Sequence, residues 1–253
     1  MNQTQKARQF TQAHIKGDPI ILYNVWDAGS GRAVEAAGAS ALATGSWSVA
    51  AAHGYEDGEA IPFSLLEIIT QRLCACTNVP VSIDFEAGFG MAPSTVAEFG
   101  ERLIHAGAVG VNFEDQAIAA GGLIDTTLQA ERIAALRDIA GAMPLHINAR
   151  TDSFLLAAPD QDHKPLLSDA IARAAAYEAA GASSFFAPGL NDPALIGQLC
   201  AATALPVNVM LTPASAPLGE LAAAGVARCS YGPGPYRQMI ETLGDAARTV
   251  YAA

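Results

Sequence analysis

The chain has 253 residues, of which 51% are hydrophobic and 15% are charged, and its formal net charge is −11. This composition supports one large folded core and excludes a disordered chain. Because the acidic residues outnumber the basic ones and no basic run offsets them, the composition also excludes binding to nucleic acid or to an anionic membrane surface.

Compartment and redox state follow from a few features of the sequence. The polar N-terminal segment, residues 1–18, lacks an apolar signal core, and no apolar stretch reaches the ~18 residues of a membrane span. The four cysteines have no Cys-x-x-Cys spacing, which argues against a zinc ribbon or a disulfide framework. They are Cys74, Cys76, Cys200 and Cys229. We therefore expect a cytoplasmic protein with reduced thiols.

Short β-like runs alternate with alanine-rich helical runs along the whole chain. The predicted strands are Ile20–Trp26, Ala41–Ser46, Val81–Asp84, Gly110–Glu114, Leu145–Arg150, Ser183–Ala187, Val207–Leu211 and Arg228–Tyr231. The predicted helices are Gly31–Ala37, Ser64–Cys74, Ser94–Ala106, Leu128–Ala140, Ser168–Ala180, Pro193–Ala201 and Ala216–Ala224. Repeated strand–helix units predict a parallel sheet, and eight of them predict an α/β fold of the (β/α)8 TIM-barrel type, a single domain over residues 1–253.

An open, doubly wound sheet is the rival fold. Such a sheet would be expected to carry Gly-x-Gly-x-x-Gly after its first strand. The corresponding turn here reads D-A-G-S-G-R-A, in which the glycine spacing does not fit a dinucleotide site. The sequence therefore favours the closed barrel.

Three predicted strands stop abruptly in charged residues. They read S-I-D-F-E-A-G-F-G from Ser82, G-V-N-F-E-D from Gly110 and I-N-A-R-T-D-S-F from Ile147. In a barrel, chemistry gathers at the carboxyl ends of the strands. These acidic ends therefore predict one functional rim on the barrel.

Carboxylates at this rim are candidate metal ligands. Asp84 and Glu86 are two residues apart and so point the same way on a strand, and Glu114 ends the next strand. Oxygen ligands are those that Mg²⁺ or Mn²⁺ prefers. The alternative is that these acids pair with arginines or cap helices.

Arg150 is the candidate for binding an anionic substrate. Its planar guanidinium suits bidentate binding of a carboxylate. The alternative role, which does not exclude the first, is a salt bridge to Glu114 or Asp152. The three lysines, Lys6, Lys16 and Lys164, end no predicted strand, so Schiff-base chemistry is not expected. Enolate chemistry assisted by a metal remains available.

Two loops are long enough to cover the rim as lids, residues 48–62 and 116–127. His53 lies in the first loop and is either a proton donor or without a catalytic role. His146 lies inside a predicted strand, where a buried core position is the expected role.

Taken together, these motifs resemble the isocitrate lyase/phosphoenolpyruvate mutase superfamily, in its small single-domain, phosphonomutase-like branch. The resemblance covers about Leu22–Tyr231. The matching segments are N-V-W-D-A, Gly45-Ser46, Asp57-Gly58, D-F-E-A-G-F-G, V-N-F-E-D, N-A-R-T-D and V-N-V-M. It implies a (β/α)8 barrel, a Mg²⁺ (or Mn²⁺) ion, a small α-keto or 2-hydroxy carboxylate as substrate, and assembly as a homodimer or homotetramer.

The resemblance also implies roles for single residues around the metal. Asp84 would be the principal metal ligand, and Glu86, Glu114 and Asp57 would act largely through metal-bound waters. Asp57 would join Glu114 and Arg150 in the catalytic set.

Substrate-binding roles are implied in the same way. Ser46 and the backbone N–H of Trp47 would bind the substrate carboxylate. Arg150 would face the substrate oxygen and carboxylate, and Asn208 would complete the pocket.

Two departures from the family pattern narrow the expected activity. Lyases of this family that cleave isocitrate or 2-methylisocitrate carry a Lys-Lys-Cys-Gly-His-type loop after the fourth strand and a glutamate after the sixth. Here residues 116–127 contain no cysteine, lysine or histidine, and Pro188-Gly189-Leu190 follows the sixth strand. Members that process phosphonates have a lysine and a histidine where this chain has Gln116 and Gly189.

We therefore expect a Mg²⁺-dependent lyase that cleaves or decarboxylates a small α-keto acid, with an oxaloacetate-like substrate favoured. One alternative is phosphonopyruvate hydrolase or phosphoenolpyruvate mutase activity. Another is a protein that binds a keto acid without turnover.

Overall fold

In the computed structural model of this chain, which describes residues 1–158 and 160–252, parallel strands alternate with helices. The predicted domain, 1–253, includes two positions, 159 and 253, that lie outside the described residues. The strands are β1 (Ile20–Leu22), β2 (Leu42–Ala43), β3 (Val81–Asp84), β4 (Gly110–Glu114), β5 (His146–Arg150), β6 (Ser184–Phe186), β7 (Val207–Met210) and β8 (Val226–Ser230). The helices are α1 (Gln3–Gln12), α2 (Ala28–Ala36), α3 (Ser46–Ala52), α4 (Phe63–Cys76), α5 (Pro93–His105), α6 (Thr126–Ala140), α7 (Lys164–Ala179), α8 (Pro193–Ala202), α9 (Leu218–Ala223) and α10 (Gly234–Tyr251).

Closure of the sheet confirms the predicted (β/α)8 barrel. The strands follow the order β1-β8-β7-β6-β5-β4-β3-β2, and every neighbouring pair is parallel. A parallel bridge between Val25 and Thr44 joins the chain after β1 to the chain after β2. The backbone N–H of Val25 donates to the carbonyl of Ala43 at 2.9 Å in this bridge. Helices surround the ring, so the carboxyl ends of the strands form one rim.

The interior of the barrel is polar rather than apolar. Alternate residues of a strand face opposite sides, and here the apolar set, such as Ile83 and Val111, faces the helices. The polar set faces inward, where every buried polar group requires a partner. Several of these groups are paired with one another between neighbouring strands.

One continuous set of hydrogen bonds runs along the inner wall of the barrel from β3 to β6, and we name it the polar ladder. It begins at Asp84, whose Oδ1 accepts from Asn112 Nδ2 at 3.0 Å, and Asn112 Oδ1 accepts from Asn148 Nδ2 at 2.9 Å. Asn148 Oδ1 accepts from Ser184 Oγ at 2.6 Å. The ring Nε2 of His146 lies 2.8 Å from Ser184 Oγ. His146 is fully buried, as the sequence predicted.

Three helices were absent from the sequence prediction. Helix α1 begins with a capping box between Asn2 and Gln5 and buries Ala7 and Phe10 against the lower end of the barrel. Helix α10 follows β8 directly. Helix α3 replaces the end of the predicted strand Ala41–Ser46 and the start of the first predicted lid. In each case a short local signal was read as a loop or a terminal segment.

The first strand ends four residues before the predicted boundary at Trp26. The strand ends early because the side chain of Asn24, rather than the backbone, makes the hydrogen bonds to the neighbouring segments. Its Oδ1 accepts from the backbone N–H groups of Tyr231 and Gly232, each at 2.9 Å. Its Nδ2 donates to the carbonyl of Thr44 at 2.9 Å. A side chain thus ties the ends of β1, β2 and β8 together above the sheet.

Within residues 1–158 and 160–252, none of the helices combines the length and the apolar character needed to cross a bilayer.

Candidate active site

A small cavity of about 200 Å³ opens at the carboxyl ends of the strands. It is below the ~300–1,000 Å³ of sites that take drug-sized ligands, and so suits a molecule of few atoms. Its lining contains both polar and apolar residues. The lining residues are Asn24, Thr44, Gly45, Ser46, Trp47, Asp57, Asp84, Asn112, Arg150, Leu155, Phe186, Pro188, Met210, Arg228, Ser230, Gly232 and Pro233.

Asp84 ends β3 and is held from several sides. Its Oδ2 accepts from the backbone N–H of Ser46 at 2.9 Å, and its Oδ1 accepts from Asn112. Its own backbone N–H donates to Thr44 Oγ1 at 2.8 Å. The side chain is buried yet lines the cavity. These contacts fix the carboxylate in one orientation toward the place where a ligand would bind.

Glu86 holds the first predicted lid rather than lining the cavity. Its Oε2 accepts from the backbone N–H groups of Gly58 at 3.0 Å and Glu59 at 2.6 Å. Glu59 in turn accepts from the backbone N–H of Phe89 at 2.6 Å. Burial, followed by repulsion from Asp84, raises the pKa of Glu86 to about 8. The buried carboxyl group of Glu86 therefore holds the loop of residues 48–62 at the rim through two backbone hydrogen bonds.

Glu114 is paired with Arg150. Arg150 Nη1 lies 2.7 Å from Glu114 Oε2, and Arg150 Nη2 donates to Asp152 Oδ2 at 2.8 Å. Although burial acts to lower it, the charges of Glu114 and Asp152 hold the pKa of Arg150 above its usual range. Both salt bridges considered for Arg150 are thus present. Because Arg150 also lines the cavity, it remains placed to meet an anionic ligand.

Asp115, next to Glu114, has a different environment. It points away from the barrel interior, as alternation along an extended chain requires. Its Oδ2 accepts from Tyr177 Oη at 2.7 Å and Arg173 Nη1 at 3.1 Å, and its Oδ1 accepts from the backbone N–H of Asp152 at 3.0 Å. Asp115 therefore anchors a strand end to helix α7.

Ser46, Trp47 and Asp57, three of the predicted site residues, all line the cavity. Burial, followed by the charge of Asp84, raises the pKa of Asp57, although part of its surface is exposed. Trp47 lies in the first turn of α3, where backbone N–H groups have no partner within the helix. Its ring packs edge-on against Tyr236 with 6.0 Å between centroids. Helix α10 thus supports one wall of the site.

Asn208 does not line the cavity. It is fully buried, and its Oδ1 accepts from Ser230 Oγ at 3.2 Å. Asn208, predicted to complete the pocket, thus lies behind the cavity wall in this structure. Ser230, which does line the cavity, stands between Asn208 and the open space.

Arg228 is a cavity residue that sequence reasoning missed. It was taken as the first residue of the last strand, but β8 begins at Val226, so Arg228 lies within the strand and faces the interior. Burial lowers its pKa to about 10, against the opposing effect of Asp84. The signal was present in the sequence, since Arg228 and Ser230 are two residues apart in an otherwise apolar run. Asn112, two residues before Glu114 in a strand whose bounds were predicted correctly, also lines the cavity and was also missed.

The lid residues without a cavity contact are simpler to place. His53 is exposed at the end of α3, and its Nδ1 lies 2.9 Å from the carbonyl of Val49. Its possible role as proton donor has no support from this position. The second loop forms a tight hairpin closed by Gln116 and Leu123. A Cβ on Gly58 would lie 3.4 Å from Ile118 Cγ2, so the two loops touch.

The residues at this rim fit a hydrated Mg²⁺ ion. No three His, Cys, Asp or Glu side chains among the described residues form a ready ligand set. Asp84 and Asp57 line the cavity, whereas Glu86 and Glu114 are not among its lining residues. Mg²⁺ is commonly held by one or two carboxylates and keeps several waters. Burial first, and repulsion among these carboxylates second, raise the pKa values of Asp57, Glu86 and Glu114, and a cation would offset that repulsion.

Comparisons with known proteins agree with this geometry. The family model for phosphoenolpyruvate phosphomutase matches residues 10–251 of the chain. A crystal structure from Burkholderia cenocepacia J2315, provisionally assigned as a phosphonomutase, is 47% identical with a TM-score of 0.95, over 98% of this chain and 99% of that one.

Two relatives of named activity are more distant. The 2-methylisocitrate lyase of Escherichia coli K12 is 28% identical over 247 residues, 92% of this chain and 80% of that lyase. An oxaloacetate decarboxylase of Rhodopseudomonas palustris is 32% identical over 152 residues, 57% of this chain and 50% of that enzyme. The chain thus matches about half the length of that decarboxylase.

Proposed function

Since the chain belongs to the phosphoenolpyruvate phosphomutase family, in a superfamily of lyases and mutases, we propose that it is a Mg²⁺-dependent lyase that decarboxylates a small α-keto acid, with oxaloacetate as the preferred substrate. Mn²⁺ would serve in the same place. The proposal concerns the substrate and the reaction, and it draws on the side chains that reach the cavity.

The observation that carries the proposal is the set of ionisable side chains in the cavity lining. Among the described residues this set is two aspartates and two arginines, Asp57, Asp84, Arg150 and Arg228, with no histidine, cysteine or lysine. Cleavage of a 2-hydroxy acid needs a base for the hydroxyl proton and an acid for the enolate. Decarboxylation of a β-keto acid needs only a sink for the electron pair. The second reaction fits the side chains present.

Substrate binding uses the polar residues of the cavity lining. The carboxylate beside the keto group binds at Ser46 and the backbone N–H of Trp47. Arg150 donates charge-assisted hydrogen bonds to the keto oxygen. Asn208 supports this wall through Ser230. Mg²⁺, held by Asp84 and through water by Glu86 and Glu114, would supply further positive charge where the enolate forms.

The reaction breaks one carbon–carbon bond. The bond between the methylene carbon and the distal carboxylate breaks, carbon dioxide leaves, and the electron pair passes to the keto oxygen as an enolate. Arg150, already oriented by Glu114 and Asp152, stabilises that charge without reorganisation. A water at Asp57, or the solvent, returns one proton to the methylene carbon. The product is the α-keto acid shorter by one carboxylate.

Other activities of the family fit this chain less well. Cleavage of 2-methylisocitrate needs the acid-bearing loop that residues 116–127 lack. Phosphonate chemistry is disfavoured because Gln116 and Gly189 replace the expected lysine and histidine. Because the chain is similar to a provisionally assigned phosphonomutase, the experiment below also tests phosphonate substrates. Binding of a keto acid without turnover is the third possibility.

An oxaloacetate assay tests the proposal. Pyruvate is followed with coupled lactate dehydrogenase, with Mg²⁺ present or removed by EDTA, and the enzyme-free metal rate is subtracted. We expect an enzyme-dependent rate that EDTA abolishes. No rate above background rejects decarboxylation of oxaloacetate. Phosphorus NMR on phosphonopyruvate and phosphoenolpyruvate, and calorimetry with oxalate, then identify phosphonate chemistry or binding without turnover.

We also propose that the chain forms a homodimer or homotetramer through α10. This helix exposes apolar side chains at Met239, Ile240, Leu243, Val250 and Tyr251. It borders a groove of about 840 Å³ against the segment that includes Trp26 and Val34. A contiguous exposed apolar surface of this kind is typical of an interface. A second copy of the same chain, with the same apolar helix, is the occupant that we infer.

Light scattering after size-exclusion chromatography tests the oligomer. The wild type should have at least twice the mass of one chain, and Leu243→Glu should lower that mass. Thr249→Glu adds the same charge at another exposed position of α10 and should leave the mass unchanged. A monomeric wild type, or an unchanged mass in Leu243→Glu, contradicts the proposed interface.

A further inference from the structure

A buried arginine without a counter-ion lies at the floor of the cavity. Arg228 is 3% exposed and lines the cavity from the middle of β8. Arg150 and Arg173 each form ion pairs, whereas Arg228 forms none with any residue that the structure describes. Its Nε and Nη1 atoms are enclosed and have no hydrogen-bond partner in the described parts of the chain.

A second donor without an acceptor stands beside it. Asn208 lies opposite Arg228 in the register of β7 and β8. Its Oδ1 accepts from Ser230 Oγ, while its Nδ2 is enclosed and finds no acceptor among residues 1–158 and 160–252. Two neighbouring strands therefore present donor groups at one place and provide no protein acceptor for them.

The chemistry of these groups indicates an anion rather than water. Burial of a guanidinium without a partner is strongly unfavourable, and a neutral molecule does not offset its charge. Asp84 attracts Arg228 electrostatically, but both of its carboxylate oxygens already accept hydrogen bonds, from Ser46 and Asn112. A carboxylate matches both the charge and the planar shape of the guanidinium.

We propose that Arg228 binds the second carboxylate of a four-carbon dicarboxylate and so selects that class of substrate over three-carbon monocarboxylates. The inference rests on the proposed function in one respect, because the first carboxylate occupies Ser46 and Trp47. The short span of a cavity of about 200 Å³ brings both ends of such a molecule within reach of its lining. Arg228 is thus a specificity-determining residue.

Calorimetry with two ligands that differ only in the terminal carboxylate tests the inference. Malate and lactate are both 2-hydroxy acids that are not decarboxylated as β-keto acids, and each is titrated into the enzyme with Mg²⁺. The wild type should bind malate at least about tenfold more tightly than lactate, the size of one charge-assisted hydrogen bond. Arg228→Met should weaken the binding of malate about tenfold to one-hundredfold and the binding of lactate less than about threefold. Arg228→Lys should fall between the wild type and Arg228→Met for malate.

A matched control separates this effect from the loss of any arginine. Arg137 is a partly buried arginine whose guanidinium donates to the Gly181 carbonyl and Ser183 Oγ, away from the cavity. Arg137→Met should leave the ratio of malate to lactate affinity unchanged. A thermal unfolding curve confirms that each variant is folded, and Arg228→Lys replaces Arg228→Met if the latter is not.

The outcomes distinguish direct binding of the ligand by Arg228 from a purely structural role of Arg228 in the cavity wall. A wild type that binds lactate as tightly as malate overturns the inference. Equal weakening of both ligands in the Arg228 variants also overturns it, because Arg228 would then only support the cavity. If oxaloacetate is not decarboxylated but malate binding still depends on Arg228, the inference stands and the proposed function fails.

Discussion

Replacement of Asp84 by asparagine should lower turnover of oxaloacetate about one-thousandfold and weaken Mg²⁺ binding. The change keeps the shape of the side chain but removes its charge. Loss of a metal ligand removes several kcal/mol of charge stabilisation from the enolate, and each 1.36 kcal/mol is a factor of ten in rate. The variant amide also meets two donors, the N–H of Ser46 and Nδ2 of Asn112. Calorimetry with Mg²⁺ and the pyruvate-coupled assay measure both effects.

Asp169→Asn is the control for this variant. Asp169 is about half exposed and pairs with Arg173 far from the cavity. Its replacement should change stability by less than about 1 kcal/mol and leave the Mg²⁺ affinity unchanged. Turnover of Asp84→Asn within tenfold of the wild type, or an unchanged Mg²⁺ affinity, contradicts the role of Asp84.

Arg150→Met should both abolish turnover and lower the free energy of unfolding by about 3–5 kcal/mol. The guanidinium of Arg150 compensates two buried carboxylates, Glu114 and Asp152. Its removal leaves both of them unpaired. Arg150→Lys keeps the charge but not the planar fork, so it should recover part of the stability while turnover stays low. Urea unfolding and the oxaloacetate assay provide the two measurements.

A surface ion pair supplies the comparison. Arg102 pairs with Glu67 and is about one-third exposed. Arg102→Met should therefore cost less than about 1 kcal/mol and leave turnover intact. If Arg150→Met is no less stable than Arg102→Met, Arg150 is not the compensating charge of the site. If it is unstable yet fully active, the proposed contact with substrate is wrong.

The barrel was readable from the sequence because its signals are local and repeated. Each strand is a short apolar run, each helix is rich in alanine, and charged residues such as Asp84 and Arg150 mark where strands end. The only guide to side-chain direction was the alternation along a strand, in which residues two apart face the same side. For that reason Asp84 and Glu86 were both assigned to the metal site. In the structure Glu86 adopts a positive φ of 49° and turns to the loop at Gly58. No pattern in the sequence indicates that turn.

The remaining errors come from tertiary contacts. The strand after Ala41 was extended to Ser46, but the hydrogen bond from Ser46 N–H to Asp84 starts a helix there instead. Arg228 was placed at the lower edge of the barrel because its strand was begun two residues late. Asn208 was assigned to the pocket, and only the packing shows that Ser230 lies in front of it.

The polar ladder has a direction, and that direction fixes where its protons are. Asn112 donates toward Asp84, Asn148 donates toward Asn112, and the hydroxyl of Ser184 donates toward Asn148. The hydroxyl hydrogen of Ser184 is donated to Asn148, so the Ser184 oxygen must accept a hydrogen bond from His146. His146 is therefore the Nε2–H tautomer. All hydrogen bonds of the polar ladder share one donor direction, and hydrogen bonds in such a chain polarise one another. The inner wall of the barrel thus carries an oriented chain of donors that ends at the carboxylate of Asp84.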